Sequence, residues 1–238
     1  MKKLSIIMPV YNEEKTIEQI LNKVIAVKIP LKKEIICVDD GSKDNSAQII
    51  KKVIANNKSI NLTYIKKNNE GKGSAVKKGL EVATGDLILI QDADLEYNPE
   101  EYPALIKPLI ENTADVVYGS RFLSLNFKLT GKKKTIMPLH YLGNRFLTFI
   151  TNLIYNSSIS DMETGYKVFK RDIIKNTKFN SNKFGIEPEI TAKLLKRKIK
   201  ILEVPIFFNP RSFKDGKKIT IKDGVLACWY LIKYRFIG

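Results

Sequence analysis

Only two of the 238 residues are cysteine and one is histidine, which leaves little material for a disulfide framework or a structural zinc site. Cys37 lies in an apolar run and Cys228 in a C-terminal apolar segment. Both read as buried or lipid-facing thiols. No stretch reaches the ~18–20 uninterrupted apolar residues that span a bilayer. The two longest candidates, 136–155 and 225–232, read as interfacial or buried helices, the first being interrupted by His140, Asn144, Arg145 and Asn152. A secretory signal is also lacking, because Met1-Lys2-Lys3 runs directly into a short strand-like segment. A cytoplasmic location is therefore expected. Long Gly/Ser/Pro tracts are absent, and 44% hydrophobic with 28% charged residues indicates a globular chain with room for one core. Acidic residues are scarce in one half only. Residues 1–120 carry 17 basic and 17 acidic side chains, whereas 121–238 carry 24 and 8. A basic surface confined to one half suits phosphate groups, of nucleic acid or of anionic lipid headgroups.

The chain opens with alternating short apolar runs and helical periodicity. Strands are expected at 4–9, 34–38, 62–65, 86–90 and 115–118, with helices at 13–26, 46–54, 73–83 and 99–110. Such alternation predicts parallel βαβ units with helices on both faces, an arrangement that binds ligands at the carboxyl ends of its strands. Beyond residue 120 the rhythm changes. A basic stretch at 124–135 reads as a mobile loop, followed by helices at 136–155 and 188–196, a strand at 200–208 and a terminal helix from about Lys222.

Three of the first strands run into acidic residues at their carboxyl ends: Glu13, then Asp39 and Asp40, then Asp92 and Asp94. Asp92 and Asp94, two apart on an extended segment, point to one side and suit a shared Mg²⁺ or Mn²⁺, with Glu96 within reach of the same ion. The Gly71-Lys72-Gly73 turn before a helix offers backbone N–H groups and an ammonium to an anion.

These segments resemble a known family over nearly the whole chain. The matching residues are Pro9-Val10-Tyr11-Asn12-Glu13, Val38-Asp39-Asp40-Gly41-Ser42, Asn69-Glu70-Gly71-Lys72-Gly73, Asp92-Ala93-Asp94-Leu95-Glu96, Gly119-Ser120-Arg121, Asp161-Met162-Glu163-Thr164-Gly165-Tyr166-Lys167 and Arg211-Ser212-Phe213. They resemble the family 2 glycosyltransferases of the dolichyl-phosphate mannosyl/glucosyltransferase-like group. The resemblance implies a GT-A fold, an α/β architecture with a mostly parallel sheet, and inversion at the anomeric carbon. It implies a donor pocket made by Pro9, Tyr11, Glu13 and Asp39, with Asp92 and Asp94 on the metal and diphosphate and with Arg121 and Arg211 near the phosphates or acceptor. Residues 1–121 are then the nucleotide-sugar half of one domain, and 122–238 the acceptor half with membrane-facing helices.

Two departures bear on the acceptor. Where polyprenyl-phosphate users carry an Arg and a Ser before the long helix, this chain aligns Ile136 and His140, with Lys132, Lys133 and Lys134 as substitute cations. Glu187 stands where hydroxyl-acceptor members carry a catalytic base, with Asp161 the alternative; an alcohol needs a base, whereas a lipid phosphate is already a nucleophile. The expected reaction moves a glucose-type hexose, from uridine diphosphate for preference, to a membrane lipid. A lipid alcohol such as diacylglycerol is expected ahead of a polyprenyl phosphate. Both helices at 136–155 and 225–237, the second with Trp229, Tyr230, Tyr234 and Phe236 flanked by Lys222, Lys233 and Arg235, suit anchoring at the anionic inner face of the cell membrane. Packing on the core or on a second subunit is the alternative. A nucleic-acid module would need basic residues interleaved with aromatic platforms, and a nucleotidyltransferase a Gly-rich N-terminal phosphate loop. Neither pattern is present.

Overall fold

A computed structural model describes residues 1–123, 138–211 and 221–237. Seven strands form one sheet in the order β3-β2-β1-β4-β6-β5-β7. The first half supplies β1 (Lys3–Val10), β2 (Lys32–Asp39), β3 (Asn61–Lys66), β4 (Leu87–Ile90) and β5 (Val116–Ser120). Pairs β1–β2, β1–β4, β2–β3 and β5–β7 are parallel. β6 (Lys167–Lys170), which no apolar run predicts, enters between β4 and β5 and runs antiparallel to both. β7 (Ile201–Pro205) is shorter than expected, and Phe208 beyond it forms a separate bridge with Tyr97.

The strand period divides the core. Leu4, Ile6, Met8 and Val10 of β1 face one cluster with Ile17, Ile20, Leu21 and Val24 of α1 (Ile17–Ala26), whereas Ile7 faces the opposite cluster with Ala75 and Val76 of α3 (Lys72–Val82). β4 behaves alike, sending Leu87 and Leu89 to the first side and Ile88 and Ile90 to the second. Burial on both faces is what continuous apolar strands of a helix-covered sheet require. α2 (Ser46–Asn56) and α4 (Tyr102–Ile110) complete the first half. α1 starts later than its apolar period suggested, because residues 13–16 form a turn in which the N–H groups of Thr16 and Ile17 donate to the Glu13 carbonyl.

The second half supplies α5 (Pro138–Tyr155), the short α6 (Arg171–Lys175), α7 (Ile186–Lys196) and α8 (Ile221–Phe236). Leu147 and Tyr155 of α5 close on Ala227, Leu231 and Tyr234 of α8. The Tyr155 hydroxyl donates to the Leu231 carbonyl at 2.7 Å. Each helix keeps its other face outward. Leu142, Phe146, Phe149 and Leu153 are exposed on α5, and Val225, Trp229, Ile232 and Phe236 on α8, both sets at i, i+4, i+7, i+11 spacing. Each is a single apolar stripe. Among the described residues no helix is long and apolar enough to cross a membrane. Expectations for 124–135, Lys132–Lys134, Ile136 and 212–220 fall outside the described residues.

Candidate active site

The carboxyl ends of β1, β2 and β4 open into a cavity of ≈ 680 Å³. Pro9, Tyr11, Glu13, Asp40, Asp92 and Asp94 line the strand-end side. His140, Asn144, Phe146 and Leu147 of α5 and Val225, Ala227 and Cys228 of α8 line the other. Lys72, Glu96, Arg121, Glu163, Glu187 and Arg211 complete the lining. Left-handed residues turn the chain sharply at these strand ends: Asn12 (φ 53°) after β1, Gly41 (φ 77°) after β2 and Leu95 (φ 62°) after β4. Non-glycine residues in that region are uncommon and concentrate at functional sites. The first two turns are tied together, with the Lys43 N–H donating to the Asn12 side-chain oxygen at 2.8 Å and the Asn12 N–H to the Ser42 hydroxyl at 3.0 Å.

Every expected metal carboxylate is close to a cation or donor of the chain itself. Lys72 approaches Asp92 at 2.7 Å. Arg211 spans two strand ends, donating to Glu13 at 3.0 Å and to Asp94 at 2.8 Å, while its backbone N–H donates to Glu96 at 2.7 Å. Burial, then repulsion from Asp92 and Glu96, pushes the Asp94 carboxyl up to about 7. The cluster thus holds more negative charge than Arg211 relieves. Two carboxylates completed by substrate phosphates are what a small divalent cation takes, so the donor set fits Mg²⁺ or Mn²⁺. Among the described residues no three His, Cys, Asp or Glu side chains converge on one point.

Asp92 is braced from behind. The hydroxyls of Tyr102 and Tyr166 both donate to the Gln91 side-chain oxygen, at 2.7 and 2.8 Å, and the Gln91 amide donates to the Asp92 carbonyl at 2.9 Å. Gly165 lies against it in front. A Cβ at this position would fall 2.6 Å from an Asp92 carboxylate oxygen and 3.0 Å from the Tyr97 ring.

The other expected residues take different places. Asp39 is fully buried and accepts from the Ser42 N–H at 2.8 Å and the Tyr64 hydroxyl at 2.7 Å, outside the cavity lining. Asp40 accepts from the Gly71 N–H and from Lys67, both at 2.7 Å, and so organises the turn that presents Lys72. Asp161 lies behind the wall, fully buried and bidentate to Arg121 with both contacts at 2.7 Å. Glu187 opens α7 and faces two ammonium groups, Lys72 at 2.8 Å and Lys167 at 2.5 Å. Burial alone would raise its carboxyl, but Lys167 and Lys72 outweigh that and hold it at about 2. A carboxylate so held is a weak proton acceptor in this state.

Two further residues of the site carry no expected role. Lys167 is fully buried on β6, ion-paired to Glu187 with its ammonium 4.9 Å from the Tyr118 ring centroid. Glu163 lines the cavity with one carboxyl oxygen buried and, among the described residues, without a hydrogen-bond partner. Burial raises its carboxyl to about 7. Both belong to the 161–167 segment whose motif marks the site, but no periodicity or spacing singles them out.

Residues 5–177 match the family model described as glycosyl transferase family 2. An uncharacterised protein of Methanocaldococcus jannaschii is 31% identical, covering 97% of this chain and 98% of its own. The UDP-N-acetylglucosamine–dolichyl-phosphate N-acetylglucosaminyltransferase of Methanococcus voltae is 30% identical, with 92% of both chains covered. Other curated relatives are longer, and the chain spans 51–64% of three of them. Among solved structures, glucosyl-3-phosphoglycerate synthase of Mycobacterium tuberculosis in complex with UDP superposes with a TM-score of 0.73 at 17% identity, over 100% of this chain and 81% of that one. A GT-A sheet whose strand ends carry the motif residues, and a family match over most of the chain, lead to one conclusion: the protein is a family 2 glycosyltransferase.

Proposed function

We propose that this glycosyltransferase moves a hexose from a nucleoside diphosphate, uridine for preference, to a lipid presented at a membrane surface, with inversion at the anomeric carbon. The observation that carries this reading is the two-sided cavity, with carboxylates and cations at the strand ends and apolar helices α5 and α8 opposite. A nucleotide sugar suits the first side and a lipid the second. Solved neighbours hold Mn²⁺ with UDP, or Mn²⁺ with UDP-glucose. By analogy, Asp92 and Asp94 would hold a divalent cation here. When bound, it stabilises the charge on the departing diphosphate as a Lewis acid. The chain's own part is positioning: Lys72 and Arg211 leave their carboxylates for the diphosphate, and the Gln91 clamp and Gly165 fix where Asp92 stands. Arg121, neutralised by Asp161, keeps the β5 end of the wall rigid.

For the acceptor, a polyprenyl phosphate is the first reading, because several relatives are named for transfer to dolichyl or undecaprenyl phosphate. Such a nucleophile is already ionised and needs no base. Transfer to a lipid hydroxyl such as diacylglycerol is the second reading, supported by Glu187, a carboxylate on the cavity wall where a base is needed. For Glu187 to take a proton, at least one of its two ammonium partners must first turn away.

UDP- and GDP-hexoses supplied with polyprenyl phosphate or diacylglycerol vesicles test both readings. Expected is transfer to polyprenyl phosphate, giving a product released by mild acid, abolished by EDTA and restored by Mg²⁺ or Mn²⁺. Asp94→Asn should lower the rate by at least ~10²-fold, the scale of losing one major electrostatic stabiliser. An acid-stable product from diacylglycerol alone would favour the second reading. Undiminished transfer in EDTA would remove the metal.

A further inference from the structure

In any such transfer the hexose lies between the diphosphate and the acceptor, so the residue lining that stretch of cavity meets its hydroxyls. Two observations place Glu163 there. On the donor side, Gly165, two residues on, is so close to Asp92 that a Cβ would be 2.6 Å from its carboxylate oxygen. On the acceptor side, Glu163 shares the cavity lining with Ala227 and Cys228 of α8.

Resting on the nucleotide-sugar reading above, we propose that Glu163 is a specificity residue for the donor, its unpartnered carboxyl oxygen accepting a hydrogen bond from one hydroxyl of the transferred hexose. Four charged groups act on it electrostatically, and they are already engaged with one another. Arg121 is bidentate to Asp161, and Lys167 is paired with Glu187. Glu163 and Glu187 each hold a buried carboxyl oxygen without a hydrogen bond in the described chain, but that of Glu187 is ion-paired to Lys72 at 2.8 Å, whereas among the described residues that of Glu163 faces no ion-pair partner. A buried acceptor without a donor is costly in the free protein, and a sugar hydroxyl arriving in the cavity removes that cost. The carboxyl's elevation to about 7, set first by burial, then lowered by Lys167 and raised by Glu187, is the cost seen from the proton's side. A hydroxyl donating to the charged form would bring it down again. Sites built to hydrogen-bond a substrate hydroxyl discriminate strongly against the analogue that lacks it.

Equilibrium binding of UDP, UDP-glucose and its 2-, 3-, 4- and 6-deoxy analogues to the wild type, Glu163→Gln and Glu163→Ala tests this. In the wild type, one deoxy analogue should bind ~10–100-fold more weakly than UDP-glucose, the scale of a hydrogen bond to a charged group. Glu163→Ala should bind UDP-glucose and that analogue alike, while its affinity for UDP stays at the wild-type value and certifies the fold. Glu163→Gln, which retains an acceptor oxygen, should keep part of the discrimination. Full discrimination surviving in Glu163→Ala would overturn the assignment, as would equal binding of all deoxy analogues by the wild type. Failure of both UDP and GDP to bind the wild type would instead remove the nucleotide-sugar reading, and the role of Glu163 with it.

Discussion

At the scale of single residues, the site is a set of charges balanced against one another inside the chain. Glu187 is the pivot, because it neutralises a fully buried Lys167 and one side of Lys72. Removing one member of a buried pair strands the other. Glu187→Gln should therefore cost ~3–5 kcal/mol of folding stability, measured by urea denaturation at pH 7. The pH dependence follows from the carboxyl held at about 2, below the ~4.3 of an unfolded chain. Its contribution is complete above pH ~4.3 and is lost as pH falls toward 2. The variant should show a shallower loss of stability across that window, and parallel acid curves for the two proteins would contradict the pairing. Little of this balance was legible beforehand. The acidic strand ends stood out because Asp92 and Asp94 interrupt an apolar pattern. Lys167 reads in a sequence as one more surface lysine, and its burial depends on Glu187, 20 residues away. Glu163 lies in the 161–167 motif but no spacing or periodicity singles it out, since what distinguishes it is the absence of a hydrogen-bond partner in three dimensions among the described residues.

Elements were read more reliably where period and burial agree. The strands β1, β2, β4 and β5 and helices α1 to α4 follow from apolar runs and helical spacing, since each is buried on the faces those patterns imply, while β3 at the sheet edge is only partly buried, through Leu62 and Tyr64. β6 escaped notice for a physical reason. It is four residues long with lysine at both ends, and it is a strand because β4 and β5 flank it, not because of its own preference. The apolar content of α5 and α8 is plain in the sequence, and the structure divides each into a packed face and an open one. The open faces, at matching i, i+4, i+7, i+11 positions, suit insertion into a lipid surface. Trp229, the only tryptophan, lies on that face at 57% exposure and is a built-in probe. Its emission should shift to the blue on adding lipid vesicles, and Phe149→Ser or Ile232→Ser should each weaken partition by ~10-fold, the lower end of burying one large apolar side chain. Unchanged emission at saturating lipid would exclude the face.

For the whole molecule, the net charge of +16 arises almost entirely after residue 120, in the half that carries α5 and α8. Attraction to anionic headgroups should add to apolar insertion. Co-sedimentation with vesicles should rise with the anionic fraction and fall as salt approaches 0.5 M, because screening acts over ~8–10 Å at 0.1–0.15 M ionic strength. Binding that ignores both variables would leave insertion as the sole attachment. The strand order has a different consequence, for how the chain comes to be folded at all. β4 and β5 are made early, yet the strand that joins them lies at 167–170, so the newly made sheet stays split at its centre while about 50–80 further residues emerge. At ~5–20 residues per second that wait lasts several seconds. During it, one edge of β4 and both edges of β5 lack their partners, open to pairing with other chains. The segment that closes this gap begins with Lys167, two residues after the Gly165 that lies against Asp92, so the centre of the sheet and that wall of the cavity come into existence in the same step, before β7 adds the outer edge.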